Sequence, residues 1–466
     1  MVEQGHNGHC TLTPDDSGYV LDRLAGLEQV ISNEAIRQAL VATGRVGQRS
    51  CKLTYEVTLW IVLAMGILTD LPIRQVFKHA RRLRVGEKSP HRSTLCVARQ
   101  RLGVAPVRHL FQTMARPLAQ PETPGSFYRG LRLVAIDGVV YNTPDTEAND
   151  RAFGRPSGGN RGMGAFPQVR KVSLVEVGTH VEFAITIKRL SCGEMTAMEG
   201  LWKHIPPGSL LLEDRGFFSY KQWKRALDEN VEVLARVKKG LILNSLRNLS
   251  DGSYLAMIYP TSQDRSKNRR GILVRVIRYK LNDPQRVGHE EEHVLMTTLL
   301  DEKLYPASEL IPLYHERWEE ELVFDEQKTH QDPRRATKPA HLRSQTPAGV
   351  IQELYALSLA HFVIRALMFE AAREVELDPD RLSFTGCFQI LKCRLPECDT
   401  RTAQTFQAWY DGLLWEMQQE ILEPRRNRIN PRVVKQKISK WKKKQPQHRP
   451  APKLTKTFTE SVVMIC

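Results

Sequence analysis

No two of the eight cysteines in this chain of 466 residues are spaced as C-x-x-C. Cys387, Cys393 and Cys398 cluster, but no histidine stands beside them at zinc-finger spacing. Neither a metal finger nor a disulfide framework is expected, and free thiols in a reducing compartment are. Long apolar runs are also lacking. The longest, VTLWIVLAMGIL from Val57 to Leu68, is well short of the roughly 20 residues that cross a bilayer. It reads as a buried helix. The N-terminus lacks a basic segment followed by an apolar one, so no secretory signal is read there. No internal repeat is present. These absences together lead to the expectation of a cytoplasmic protein without membrane contact.

Acids are scarce in two stretches. Between Arg74 and Arg108 there are ten Lys or Arg and one acid, Glu87, a net charge of +9. Between Arg425 and Arg449 there are eleven and none, a net of +11. The whole chain carries 68 basic and 52 acidic residues, a net of +16, so the remainder is mildly acidic. A mildly acidic body with two basic patches fits a polyanion, most simply nucleic acid. A solvated face plus a solubilising tail would explain either patch alone; two patches favour nucleic acid.

The hydrophobic share of 41% and the mixed charge mark a globular chain, and its length calls for two or three domains. Residues 1–120 read as all-helical. SNEAIRQALVATG opens on a cap signal and stops at Gly44. The basic helix IRQVFKHARRLR and the helix in SPHRSTLCVARQRLG flank a turn, as a DNA-binding helix pair does. Residues 121–237 and 301–375 read as α/β. Residues 131–136 form a short buried strand, QVRKVSLVEVG and HVEFAITIKRL a hairpin through Gly178-Thr179, and GSLLLEDRGF another buried strand. Residues 238–300, with GILVRVIRYKL and EEHVLMTTLL, read as a β-rich insertion. Residues 376–466 read as a helical C-terminal region ending in a basic tail.

The stretch YHERWEEELVFDEQK, Tyr314 to Lys328, mixes acids with a Tyr, an Arg and a Lys. On one continuous helix at about 100° per residue, Tyr314, Arg317, Glu321 and Lys328 share a stripe of about 60°. Glu316, Glu319, Glu320 and Glu326 fall on the opposite side. A carboxylate between Arg and Lys can hold a metal while the cations grip phosphate. The plain alternative is an exposed, ion-paired helix. Asp137 and Asp214 each close a short buried strand, where α/β sheets bind ligands. Two such Asp and one Glu can cluster around two Mg²⁺ ions roughly 4 Å apart, a pair suited to phosphodiester chemistry.

The spacing Y-x2-R-x3-E-x6-K, with Asp137 in IDG and Asp214 in EDRGF, resembles the signature of DDE transposases of the insertion-sequence-four family. PDTEANDRAFG, LLDEKLYPASELIPLYHERWE and RINPRVVKQKISKWKKK extend the resemblance over roughly residues 30–445. It implies an RNase H-like mixed-sheet core interrupted by the β-rich insertion; here 106 residues separate Asp214 from Glu321. It implies Asp137, Asp214 and Glu321 as catalytic acids holding two Mg²⁺, for which Mn²⁺ can substitute. It also implies Tyr314, Arg317 and Lys328 as contacts to the transposon end. Trp318 is placed either to brace distorted DNA or to pack in the core, and both readings stand. His315 and His330 are expected to pack or hydrogen-bond only. The family usually has an apolar residue where this chain has Glu320. The implied activity is cut-and-paste transposition through a hairpin intermediate. Its partners would be terminal inverted repeats and target DNA, its complex a homodimer, and its location the bacterial cytoplasm at the nucleoid. A DNA-binding regulator without catalysis would keep the patches and lose an acid, but all three acids are present. A stand-alone nuclease would not need the Tyr-Arg-Lys stripe.

Overall fold

The computed structural model describes residues 21–46, 51–83, 85–157, 164–237, 240–284, 289, 291–332, 342–423 and 456–465. The extreme N-terminus and the basic stretch 425–449 lie outside them.

In chain order the elements begin with five helices: α1 (Asn33–Ala42), α2 (Tyr55–Ile67), α3 (Ile73–Ala80), α4 (Arg92–Leu102) and α5 (Ala105–Met114). Then come β1 (Phe127–Tyr128), β2 (Leu131–Asn142), α6 (Glu147–Phe153), β3 (Gln168–Glu176), β4 (Val181–Arg189), α7 (Glu194–Met198), β5 (Ser209–Glu213), α8 (Tyr220–Asp228) and β6 (Glu232–Arg236). The segment read as an insertion holds β7 (Arg247–Asn248), β8 (Tyr254–Ile258), α9 (Ser262–Ser266), β9 (Ile272–Leu281) and β10 (His293–Thr297). The chain continues through α10 (Ala307–His315), α11 (Trp318–Asp325), α12 (Pro347–Glu374), α13 (Phe384–Arg394), α14 (Ala403–Gln418) and β11 (Val462–Met464).

Two compact units share these elements. One joins Met1–Phe127, Asp137–His204 and Glu319–Leu422; the other joins Tyr128–Ile136, Ile205–Trp318 and Glu423–Cys466. In the first, mostly helical unit, the apolar run predicted to be a buried helix is α2. Thr54 caps it by accepting the Val57 N–H at 3.1 Å, and every residue from Val57 to Ile67 is buried. α2 packs along α12. A Cβ at Gly66 would sit 2.2 Å from the Ala356 carbonyl oxygen, so only glycine lets the two backbones come this close. α12 is the one helix among the described residues long and apolar enough to cross a membrane, and 83% of its most apolar window is buried. The predicted hairpin is β3 and β4, antiparallel, with a bulge at Leu174/Val175. The later part of β2 lies beside β3. Val139, Tyr141, Val169, Phe324, Leu354 and their neighbours form a core there.

In the second unit the first half of β2 runs parallel to β5, and β5 parallel to β6, with α8 as the crossover. The ladder then turns antiparallel: β10 pairs with β6, β9 with β10, β8 with β9 and β7 with β8. The segment read as a β-rich insertion therefore extends the same sheet. β11 pairs with β9, so the basic stretch is followed by folded chain and is not a terminal tail.

Candidate active site

β2 and β5 are apolar through their middles, LVAI and LLL, and buried on both faces, as a parallel pair requires. Their ladder ends with Ile136 opposite Glu213. The residues that follow along the two neighbouring strands are Asp137 and Asp214, both half-exposed. β2 does not stop at Asp137, as the sequence suggested; it runs on to Asn142. Gly138 lies within the strand, and a Cβ there would meet the Glu194 carboxylate at 2.6 Å, so glycine suits the position. Glu194 in turn pairs with Arg170. Asp137 Oδ1 accepts the Gly138 N–H at 2.7 Å. After β5 the chain turns sharply: the Phe217 N–H donates to the Asp214 carbonyl at 3.0 Å, Phe217 is buried, and Ser219 caps α8. Burial pushes the neighbouring Glu213 carboxyl up to about 8 against a pull from the Trp223 indole. It is thus largely neutral at pH 7.

The stretch from Tyr314 to Lys328 is not one helix. α10 ends at His315, and the N–H groups of Glu316 and Arg317 bond three residues back, to Leu313 and Tyr314. α11 starts afresh at Trp318, and a π-helical turn covers Glu326–His330. The single stripe drawn on a continuous helix therefore does not hold. Tyr314 is buried, and its hydroxyl donates to the Glu213 carbonyl at 3.2 Å. Burial holds its phenol well above the ordinary value, with Arg317 opposing and Asp214 adding to the shift. Lys328 Nζ donates to the Val140 carbonyl of β2 at 2.9 Å and lies 5.1 Å from the Tyr141 ring centre. Both residues thus brace strands that carry the aspartates. Arg317 is buried, with its guanidinium 5.0 Å from the ring centre of the half-exposed Trp318. Glu321 is half-exposed on α11. His315 stacks on Phe458 at 4.2 Å, and His330 lies 3.5 Å from Asp325.

Two of the four acids assigned to the far side of that helix, Glu320 and Glu326, are buried, and Glu319 is half-exposed. His361 Nε2 lies 2.9 Å from Glu326 Oε2, and the Arg365 guanidinium donates to both Glu326 oxygens. His180, in the β3–β4 turn, has Nε2 at 2.8 Å from Glu319 and 3.3 Å from Asp380. These last three bring one nitrogen and two carboxylates within 4.8 Å of one another, a grouping that could hold a metal ion. Burial and Arg365 oppose a charged ring, while Asp380, Glu319 and Glu326 favour it and push its pKa up to about 9, so in the absence of an ion the group is held by charge pairing. His180 Nδ1 faces Arg365 Nη2 at 2.8 Å, and neither His180 Nε2 nor Glu319 Oε2 makes a hydrogen bond; ion pairs are what join the three residues. Next to them Lys171 Nζ pairs with Glu182 at 2.6 Å and bonds Gln327, with both ends of the ion pair fully buried. None of these residues was singled out from the sequence. The one available signal was the density of acids around Glu321.

Residues 21–112 match the family described as insertion element 4 transposase N-terminal, and residues 128–361 match the transposase DDE domain. The transposase InsG for insertion sequence element IS4 of Escherichia coli K12 is 30% identical over 436 residues, which cover 90% of this chain and 93% of that protein. The putative transposase InsZ of the same organism is 25% identical over 272 residues, 53% of this chain and 88% of its own length. A piggyBac transposase solved in a synaptic complex with hairpin DNA overlaps 87% of both chains with a TM-score of 0.45 and 12% identity.

Proposed function

The chain belongs to the insertion-element-4 family of DDE transposases, DNA-cleaving and strand-transferring enzymes, and from that premise we propose that Asp137, Asp214 and Glu321 are its catalytic acids. The family works with divalent metal, and the ions here would be two Mg²⁺, with Mn²⁺ able to substitute. The reading rests above all on the end of the β2–β5 ladder, where Ile136 stands opposite Glu213, each one residue before an aspartate in the sequence. The donor types suit a hard cation: three half-exposed carboxylates, with the Glu213 that precedes Asp214 held largely neutral. When bound, such ions activate the attacking oxygen and stabilise the leaving one.

The remaining work falls to the chain. Tyr314 and Lys328 keep the two strand ends fixed through the Glu213 and Val140 carbonyls. Together with Arg317 and Trp318 they would contact the phosphates and distorted bases of the transposon end. The α/β segments 121–237 and 301–375 would form an RNase H-like core, 238–300 its β-rich insertion, and the helices of 1–120 and the basic region of 376–466 the DNA-holding parts. Water attacks the phosphorus at the element's end and frees a 3′-hydroxyl. That hydroxyl attacks the opposite strand to close a hairpin, a second water reopens it, and the same hydroxyl attacks target DNA. Each step is an in-line displacement, so one set of acids serves all. Two copies of the chain would hold two ends, in the cytoplasm at the nucleoid.

The test is nicking of DNA that carries the element's terminal repeats. Purified protein should nick it only with Mg²⁺ or Mn²⁺. Glu321→Gln should reduce nicking to background and leave end binding within about twofold, because binding comes mainly from basic surfaces. Equal loss of both would make Glu321 a structural residue. Binding without any nicking by the unaltered protein would leave a DNA-binding regulator.

A further inference from the structure

Charged groups crowd the buried side of α11. Glu319 and Glu326 are seven residues apart in the sequence, which at about 100° per residue puts them on one side of the helix, within roughly 20°. Glu321 is two residues past Glu319, about 200° round. Pinning Glu319 and Glu326 inward therefore turns Glu321 outward. Two separate elements do the pinning, His180 from the hairpin turn and His361 with Arg365 from α12, and Asp380, from the turn at Pro379–Arg381, pairs in its turn with His180. Buried charges of this kind add little net stability over apolar residues of the same shape, but they can select one arrangement over others. His180 also keeps its place at φ +57, a left-handed conformation rare for a residue with a side chain. That strain is tolerated where the surroundings over-determine the residue.

We propose that His180 is a positioning residue for the third catalytic acid: paired to Glu319, it fixes the rotation of α11 and so aims Glu321. The proposal rests on Glu321 as a metal ligand. Removal of the imidazole leaves Glu319 without its partner from the hairpin while Glu326 stays anchored by His361 and Arg365, so the first turn of α11 loosens and Glu321 moves off the direction in which it shares an ion.

Two variants of the full chain test this. His180→Asn removes the ring and keeps a residue that tolerates positive φ. Glu319→Ala removes the other half of the pair at a half-exposed position. Mn²⁺ binding is followed by the paramagnetic resonance of the free ion, nicking is measured against Mn²⁺ concentration, and end-DNA binding is measured in EDTA. Both variants should need roughly 10–100-fold more Mn²⁺ for half-saturation and for half-maximal nicking. Nicking should recover in excess Mn²⁺, and DNA affinity should stay within about twofold. Unchanged Mn²⁺ binding in both overturns the proposal. Should His180→Asn fail to fold, Glu319→Ala decides alone. Glu321→Gln is the control. If it binds Mn²⁺ like the unaltered protein, the ligand assignment falls and the proposal with it. If it loses Mn²⁺ while the other two variants keep it, this proposal alone falls.

Discussion

Glu326 is the residue on which the buried brace turns. Burial acts to raise its pKa, but Arg365, His180 and His361 outweigh that and hold the carboxyl well below its usual 4.5. A carboxyl depressed in the folded state adds stability above its unfolded value, and that stability is lost as pH falls through the folded value. Removing the guanidinium leaves a buried, underpaired negative charge. Arg365→Met should therefore cost about 3–5 kcal/mol near pH 7, read as a lower urea midpoint. The cost should shrink as pH is taken below about 4.5, where the uncompensated Glu326 binds a proton and no longer needs its partner. A difference that stays constant with pH would mean that Arg365 acts through packing alone. In the Lys171–Glu182 pair burial lowers the pKa of the lysine, and the glutamate at 2.6 Å opposes that shift.

Element by element, legibility followed how local the deciding contact is. The β3–β4 hairpin, β5 and α2 were readable because apolar pattern, cap and turn all lie within one short segment. β2 was read too short because Gly138 carries a turn signal. The strand runs on beside β3, a neighbour distant in sequence, and the Glu194 side chain takes the space a Cβ at Gly138 would fill. The break between α10 and α11 was missed because the amphipathic pattern runs through it; what fixes it is the bond from Tyr314 to the Glu213 carbonyl and the burial of Arg317. In the site, Asp137 and Asp214 were candidates as acids closing buried strands, Glu321 as a carboxylate between Arg317 and Lys328, and all three by the motif spacing. The brace behind Glu321 was invisible because pattern rules send glutamates to solvent, and its partner His180 is far away in sequence. α4 illustrates what can be carried forward. Its inner face is Leu95, Ala98 and Leu102. Its C-terminal end is held by Gln352 donating to the Arg99 and Gly103 carbonyls and by Arg45 donating to Leu102. Arg92, Ser93, Thr94, Val97, Gln100 and Arg101 are exposed on it, and no acid occurs between Glu87 and Glu122. Under the proposed role of the N-terminal helices, replacing Arg92 and Arg101 together by Ala removes two phosphate contacts. The slope of log affinity against log salt should then fall in magnitude by about 1.8, at roughly 0.9 per contact, as read by anisotropy over a salt series. An unchanged slope would remove α4 from the interface.

For the whole molecule the deciding quantity is where the charge sits. The net +16 is gathered into residues 74–108 and 425–449, while the rest is mildly acidic. Under the proposed function, DNA held through these patches would be gripped by cations that are not catalytic, so binding and cutting would depend on different ions. Six to ten phosphate contacts lose roughly 10³–10⁵ in affinity between about 50 and 200 mM salt. Without divalent ions, Asp137, Asp214 and Glu321 would face the scissile phosphate as bare carboxylates. Each such like-charge contact costs on the order of 1 kcal/mol where water screens it, an effect confined to one spot. Chelation with EDTA should therefore stop strand cleavage completely and weaken end binding by less than about tenfold, while the salt increase weakens it far more. Anisotropy of labelled end DNA, with and without EDTA across the same salt series, separates the two effects. Binding that vanishes in EDTA yet barely responds to salt would mean that metal ions, and not the basic surfaces, bridge protein and DNA.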